Sequence, residues 1–173
     1  WTNLRDYHEL YCAGHLIEAA VEHFKATNNP RFLNAMCKYV DYIDSIFGKE
    51  PGKKRGYCGH EEIELALIKL YKITRNEKYL NLSKYFVDER GQDPLYFWEE
   101  AKLRGETIEP LIKLNDPHPE ILGYGRDLRV YQSHLPVRDQ DEAVGHAVRA
   151  NYLYSGMVDV ALETDDSELL HVC

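Results

Sequence analysis

One short pattern occurs three times in this chain and limits what it can fold into. Thr27-Asn28-Asn29-Pro30-Arg31-Phe32-Leu33, Thr74-Arg75-Asn76-Glu77-Lys78-Tyr79-Leu80 and Thr164-Asp165-Asp166-Ser167-Glu168-Leu169-Leu170 share it. Each runs from a threonine through four mostly polar residues to a large apolar residue and a leucine. The threonines lie 47 and then 90 residues apart, so the second interval is close to two units. Upstream of each stands a Gly-His pair: Gly14-His15, Gly59-His60 and Gly145-His146. The unit is an apolar helix, a polar turn and an amphipathic helix, about 45 residues long. Helical hairpins of that length build open solenoids or closed α/α toroids, and a ~34-residue tetratricopeptide period fits poorly.

Apolar periodicity supports this reading. Phe32, Met36, Tyr39, Val40, Ile43, Ile46 and Phe47 form one stripe at helical spacing, with Pro30 near its start and Gly48 near its end. Tyr79, Leu82, Ser83, Phe86 and Val87 form a second stripe, ending at Gly91. Residues 10–24, 63–73 and 143–162 are apolar on more than one side and must be covered on several sides. The fold class is therefore all-α, with buried helices alternating with amphipathic ones. A toroid surrounds its inner helices with neighbours, and this chain would supply about three and a half of its hairpins.

Residues 91–138 interrupt the pattern with five prolines and several glycines. Within them, 96–104 and 109–114 read as short helices, and the stretch is either site-forming or poorly ordered.

Composition removes several function classes. The 173 residues carry 21 Lys+Arg against 29 Asp+Glu, a net charge of −8, which leaves no basic surface for nucleic acid. No apolar run reaches the ~18–20 residues that span a bilayer, so no membrane partner is expected. With 44% apolar and 29% charged residues the chain is globular rather than disordered. Cys12, Cys37, Cys58 and Cys173 are too scattered for a disulfide scaffold or a zinc ribbon. Free thiols favour a reducing, cytoplasmic setting; an export signal and the oligomeric state stay open. The chain opens without Met and stops inside a helical stretch, so it reads as a piece of a longer protein.

The recurring histidine is the sharpest chemical feature. If the repeats superpose, His15, His60 and His146 occupy corresponding places and converge on one end of a ring. His60 is read as starting its helix, where the dipole would keep the imidazole neutral. Neutral rings donate and accept, which suits a polyhydroxylated ligand. The plainer alternative is that Gly-His fits a tight helix entry. Zinc ligation by the three lacks the i, i+4 pairing of helical sites, so no metal site is expected in this chain. Glu61, Glu62 and Glu64, with Asp139, Asp141 and Glu142, read mainly as first-turn acids worth ~0.3–1 kcal/mol each. A glycosidase needs two groups flanking the scissile bond, commonly carboxylates, but spacing alone picks no pair. Tyr131 to Gln140 places His134, Arg138 and two amides before the third apolar helix, or is a connecting loop whose Arg138 pairs with an acid.

Residues 1–19, ending Tyr11-Cys12-Ala13-Gly14-His15-Leu16-Ile17-Glu18-Ala19, resemble the β-L-arabinofuranosidase-like glycoside hydrolases. So do Gly59-His60-Glu61-Glu62-Ile63-Glu64-Leu65-Ala66-Leu67 and Phe86-Val87-Asp88-Glu89-Arg90-Gly91. The likeness continues through His134-Leu135-Pro136-Val137-Arg138 and Ala143-Val144-Gly145-His146-Ala147-Val148-Arg149-Ala150. It implies that residues 1–173 are part of an (α/α)6 catalytic barrel cut at both ends, with 91–138 as an irregular insertion. It implies a retaining enzyme that removes non-reducing-terminal β-L-arabinofuranosyl groups from arabinose-containing glycans. A zinc-bound cysteine thiolate is the nucleophile there and a glutamate the acid/base. Histidines matching His15, His60 and His146 line the sugar pocket, with His134 as the substitute candidate.

Cys58 stands where the family usually has Pro, and Leu135 where Lys is common, which points to a divergent member. The four cysteines do not match the zinc cluster, so zinc ligands and catalytic residues are expected beyond Cys173 and the chain alone is expected to be inactive. Apolar inner-helix surface left uncovered would favour self-association. The competing readings are a toroid enzyme acting on another sugar and a non-catalytic helical-repeat scaffold that binds a protein.

Overall fold

A computed structural model describes residues 1–106 and 127–173. The described residues form α1 (Glu9–Thr27), α2 (Arg31–Ile46), α3 (Ile63–Thr74), α4 (Glu77–Glu89), α5 (Tyr96–Leu103), α6 (Ala147–Thr164) and α7 (Ser167–Val172). Short 3-10 turns cover Leu128–Tyr131 and Val137–Asp139, and no strand forms among the described residues. The helix expected over 96–104 is α5. The one expected over 109–114 lies outside the described residues.

The repeated threonine strings are the turns of three helical hairpins, and one hydrogen-bond scheme explains them. Thr27, Thr74 and Thr164 each donate a side-chain hydrogen bond to the carbonyl four residues back, at 2.7–2.8 Å. The next residue, Asn28, Arg75 or Asp165, is left-handed (φ 54°, 57° and 53°) and closes the helix through its own N–H. The residue after that opens the following helix. Asn29 accepts from Arg31 N–H, Asn76 from Lys78 N–H and Asp166 from Leu169 N–H. The repeat is thus a stop signal and a start signal three residues long.

The hairpins α1–α2, α3–α4 and α6–α7 stand side by side, with α3 packed between α1 and α6 and α4 lying behind α3 and α6. An inner row of α1, α3 and α6 therefore backs onto an outer row of α2, α4 and α7. Of the three helices expected to be covered on several sides, α3 is covered most completely. Ile63 to Ile68 are all buried, whereas α1 exposes Leu16 and α6 exposes Val148 and Leu162. The reason is position, since α3 has inner neighbours on both flanks and α1 and α6 have one each.

Glycines let the inner row close up. A Cβ on Gly14 of α1 would sit 2.5 Å from Glu62 Cγ, and one on Gly156 of α6 would sit 2.8 Å from Glu64 Cβ. Both flanking helices therefore press on the first turn of α3. Two apolar clusters result. One joins α1, α2, α3 and α4 around Ile17, Val40, Ile43, Leu67 and Phe86. The other joins α3, α4, α6 and α7 around Ile68, Val87, Leu153, Met157, Val160 and Leu169.

The described part of the insertion is built into the first cluster through Phe97, Leu128, Val130 and Tyr131. Glu100 of α5 also accepts from Leu4 N–H at 2.7 Å, tying α5 to the residues before α1. Arg138 pairs with Asp88 at 3.0 Å and Asp166 at 2.7 Å, so the Val137–Asp139 turn is fastened to α4 and α7. Among the described residues no helix is long and apolar enough to cross a membrane.

Gly59 is the tightest point before α3, because a Cβ there would lie 1.8 Å from the Arg5 carbonyl oxygen. Gly59 N–H also donates to Leu4 O at 2.9 Å. G59A must therefore push two backbone segments apart. It is expected to destabilise the protein by about 2–3 kcal/mol, read from its urea midpoint.

Candidate functional site

His15, His60 and His146 do converge, at the N-terminal end of the inner row. The His60 and His146 rings are 6.1 Å apart, and both His15 and His60 lie 4.4 Å from the Tyr11 ring. Tyr152 closes the group at 6.0 Å from His15 and 6.1 Å from His60, and His8 joins at 5.7 Å from His60. α1, α6 and the segment leading into α3 thus supply one wall of imidazoles and phenols, all but His8 half-buried.

They do not, however, occupy corresponding places in the repeat. His15 is inside α1, two turns from its start. His60 does not start its helix: α3 begins at Ile63, and His60 lies in the irregular segment before it. His146 caps α6. The cause is the packing of α1 and α6 onto the first turn of α3, which brings unequal registers to one level. His134 makes no ring contact with the wall among the described residues. Its ring pKa is lowered by burial and by Arg129.

Burial holds the His60 and His146 rings in their neutral form at physiological pH. Desolvation lowers the His60 pKa to about 4, with Arg149, His8 and His146 adding repulsion. His146 is lowered by burial and by Arg149. Hydrogen bonds then assign the protons. His60 Nδ1 faces the Glu61 carbonyl at 3.2 Å, which only accepts, so Nδ1 carries the proton and Nε2 is left to accept. His146 Nδ1 accepts from Arg149 N–H at a long 3.5 Å, which leaves Nε2–H to donate. With the two phenols, the wall offers donors and acceptors to a ligand rich in hydroxyls.

The acids after His60 are not solvated first-turn residues. Glu61, Glu62 and Glu64 are each 0% exposed, because α1 and α6 cover that turn. The cation of Glu61 and Glu64 is Arg90, also 0% exposed, at the end of α4. It lies 2.8 Å from Glu61 and 3.2 Å from Glu64, and donates to the carbonyls of Tyr131 and Cys58 at 2.9 Å each. Its guanidinium also sits 4.9 Å over the Tyr57 ring. Burial outweighs the Arg90 charge at Glu61, whose pKa is pushed up to about 8. Cys58 lies in the same network, 3.3 Å from Glu64 and 3.4 Å from Arg90, so its thiol serves the scaffold.

On the opposite flank of α3, Glu62 lies 3.2 Å and Glu18 3.6 Å from His15 Nδ1, and Lys69 binds Glu18. The ligand atoms of His15, Glu18 and Glu62 fall within 4.8 Å of one another, a spacing that a metal could use. The Lys69 ammonium already supplies a cation there. No cysteine enters such a group among the described residues: Cys12 and Cys173 are exposed, Cys37 half-buried and Cys58 engaged with Glu64 and Arg90. A cysteine–zinc centre therefore does not fit the residues of this chain. A hollow of about 440 Å³ lies elsewhere, between the Val137–Asp139 turn, α6 and α7, and includes none of the histidine wall.

Sequence reasoning missed Tyr11, Tyr152, His8 and the Arg90 network. His8, Tyr11 and His15 fall at i, i+3 and i+7, so a search for polar aromatics sharing the face of α1 finds them. Arg90 had no signal beyond its place in a family string.

Comparison with known proteins agrees with the all-α fold. The family model described as β-L-arabinofuranosidase, GH127 catalytic domain, matches residues 1–173. The non-reducing end β-L-arabinofuranosidase of Bifidobacterium longum subsp. longum is 41% identical over 168 residues, 96% of this chain and 24% of that protein. The crystal structure of a GH127 β-L-arabinofuranosidase from Geobacillus stearothermophilus T6 superposes with a TM-score of 0.89 at 55% identity. It covers 100% of this chain and 25% of that one. A further GH127 β-arabinofuranosidase structure gives 0.75 at 36% identity, over 99% of this chain and 22% of the other. The chain thus spans about a quarter of the length of these relatives, and it belongs to the GH127 β-L-arabinofuranosidase catalytic-domain family.

Proposed function

We infer that this chain supplies the histidine-lined wall of the sugar subsite in a retaining glycoside hydrolase that releases non-reducing-terminal β-L-arabinofuranose. The observation that carries the reading is the convergence of His15, His60 and His146 with Tyr11 and Tyr152 at one end of the inner helix row. A furanosyl group presents hydroxyls that both donate and accept. The wall meets them with His60 Nε2 as acceptor and His146 Nε2–H as donor. The neutral state of these rings suits an uncharged sugar and avoids burying imidazolium.

The chain's own residues bind and orient; bond cleavage belongs to groups outside it. Zinc, in this reading, is held by cysteine and glutamate ligands elsewhere in the full-length protein, where it lowers the pKa of a thiol. His134 stays the substitute wall residue should one of the three prove uninvolved.

The full-length protein carrying this chain is expected to turn over an aryl β-L-arabinofuranoside. Residues 1–173 purified alone are expected to release no more aryl alcohol than a mock preparation. Turnover by the isolated chain would place catalytic groups within it and overturn the division of labour. Failure of the folded, zinc-loaded full-length protein would move the reading to another sugar.

A further inference from the structure

His15 has its two ring nitrogens in unlike surroundings. Nδ1 points to the seam between α1 and α3, 3.2 Å from Glu62 Oε1 and 3.6 Å from a Glu18 oxygen. Glu62 is 0% exposed and fills the space left by the missing side chain of Gly14. A buried carboxyl without compensation is costly, so its protons and partners must be assigned. Although burial opposes it, the Glu62 and Lys69 contacts keep Glu18 below the usual carboxylate range. Burial and the Glu18 charge push the Glu62 pKa up to about 9. One proton is therefore shared. Glu62 O–H donates to the Glu18 carboxylate, and the Glu62 carbonyl oxygen is left to accept. As placed, neither Glu62 oxygen has a hydrogen-bond donor, and the nearest nitrogen is His15 Nδ1, 3.2 Å from Oε1, so a small turn of the ring would let Nδ1–H donate to it.

We propose that Glu62 is a positioning residue for His15: from the α1–α3 seam it pins the ring proton on Nδ1 and leaves Nε2 as an acceptor for a ligand hydroxyl. The inference rests on the sugar-wall reading for its consequence, but its structural half stands alone. Lys69 holds Glu18, Glu18 accepts the hydrogen bond of the Glu62 O–H, and Glu62 fixes His15. The order of the three side chains sets the direction of the hydrogen bond that His15 offers.

The test is nitrogen NMR on the full-length protein labelled with 15N in its histidine rings, near neutral pH, with E62L and E62Q beside the wild type. The wild type should show His15 Nδ1 protonated and Nε2 unprotonated. E62Q should keep that pattern, because its carbonyl accepts from Nδ1–H while its NH2 donates to Glu18. E62L should lose it and shift toward the Nε2–H tautomer, with the His60 and His146 signals unmoved. In parallel, kcat/KM on the aryl arabinofuranoside should fall about tenfold in E62L and stay within about threefold in E62Q, the scale of one hydrogen bond. A wild-type His15 protonated at Nε2, or an E62L protein that keeps Nδ1–H, overturns the proposal, and the first of these needs no variant to fold. A tautomer that switches in E62L with kcat/KM unchanged upholds the assignment and overturns the sugar-wall reading instead.

Discussion

R90M is expected to cost the protein about 3–5 kcal/mol, the scale of removing one partner from a buried ion pair. Arg90 is 0% exposed and spends its donors on three different segments. It reaches Glu61 and Glu64 at the start of α3, the Cys58 carbonyl in the segment before it, and the Tyr131 carbonyl in the described part of the insertion. Methionine fills the volume but leaves two carbonyls and two carboxyl groups without their donor. R90K should recover little, because one ammonium cannot reproduce a planar fork that serves four acceptors.

The penalty should also grow with pH. Glu61 has a folded-state pKa raised to about 8, against an ordinary 4.5, chiefly by burial. A raised carboxyl pKa means the folded state holds the proton more tightly than the unfolded chain. That contribution is complete below the unfolded value and is lost as pH rises toward 8. Arg90 moderates the loss, since its charge lowers the Glu61 pKa. Without Arg90 the carboxyl ionises later still, so the gap between R90M and wild type should widen between pH 7 and 9. Denaturant midpoints of both proteins across that range are the measurement. A constant gap, or one below about 1 kcal/mol, would mean that Arg90 is not the cation of this network.

This network marks the boundary of what the chain discloses as a string of letters. The hairpins were legible, because their turns are local: Thr27, Thr74 and Thr164 each recruit only the residues on either side. The amphipathic stripes of α2 and α4 were legible for the same reason. Glu61, Glu62 and Glu64 read as first-turn acids, and their burial was not legible because it is decided by Gly14 and Gly156 on helices far away in sequence. The histidines were found, but the assumed equivalence of their repeat positions fails: they meet because three unequal registers are brought to one level. Tyr11 and Tyr152 escaped notice since an aromatic residue on an apolar helix reads first as core. Long-range contact, rather than residue type, made each of these what it is.

Those contacts make His60 the most consequential single residue of the wall. Its ring lies against Tyr11, His146, Tyr152 and His8, so it bridges α1 and α6 just before α3. With His60 in the sugar subsite as proposed, H60A in the full-length protein should lower kcat/KM on an aryl β-L-arabinofuranoside by about 100-fold. That corresponds to about 3 kcal/mol, the upper range for a desolvated hydrogen bond. Half-buried as it is, its removal should leave the urea midpoint within about 1 kcal/mol of wild type, which separates lost binding from lost fold. The pH dependence adds a second readout. Burial lowers the folded pKa of His60 to about 4 from 6.5, so the folded state disfavours the proton. The stability this gives is fully present above pH 6.5 and is lost as pH falls through 4. H60A should therefore lose less stability than wild type on acidification across that window. An unchanged kcat/KM, or an acid profile identical to wild type, would remove His60 from the site and leave the wall as a packing feature of the inner row.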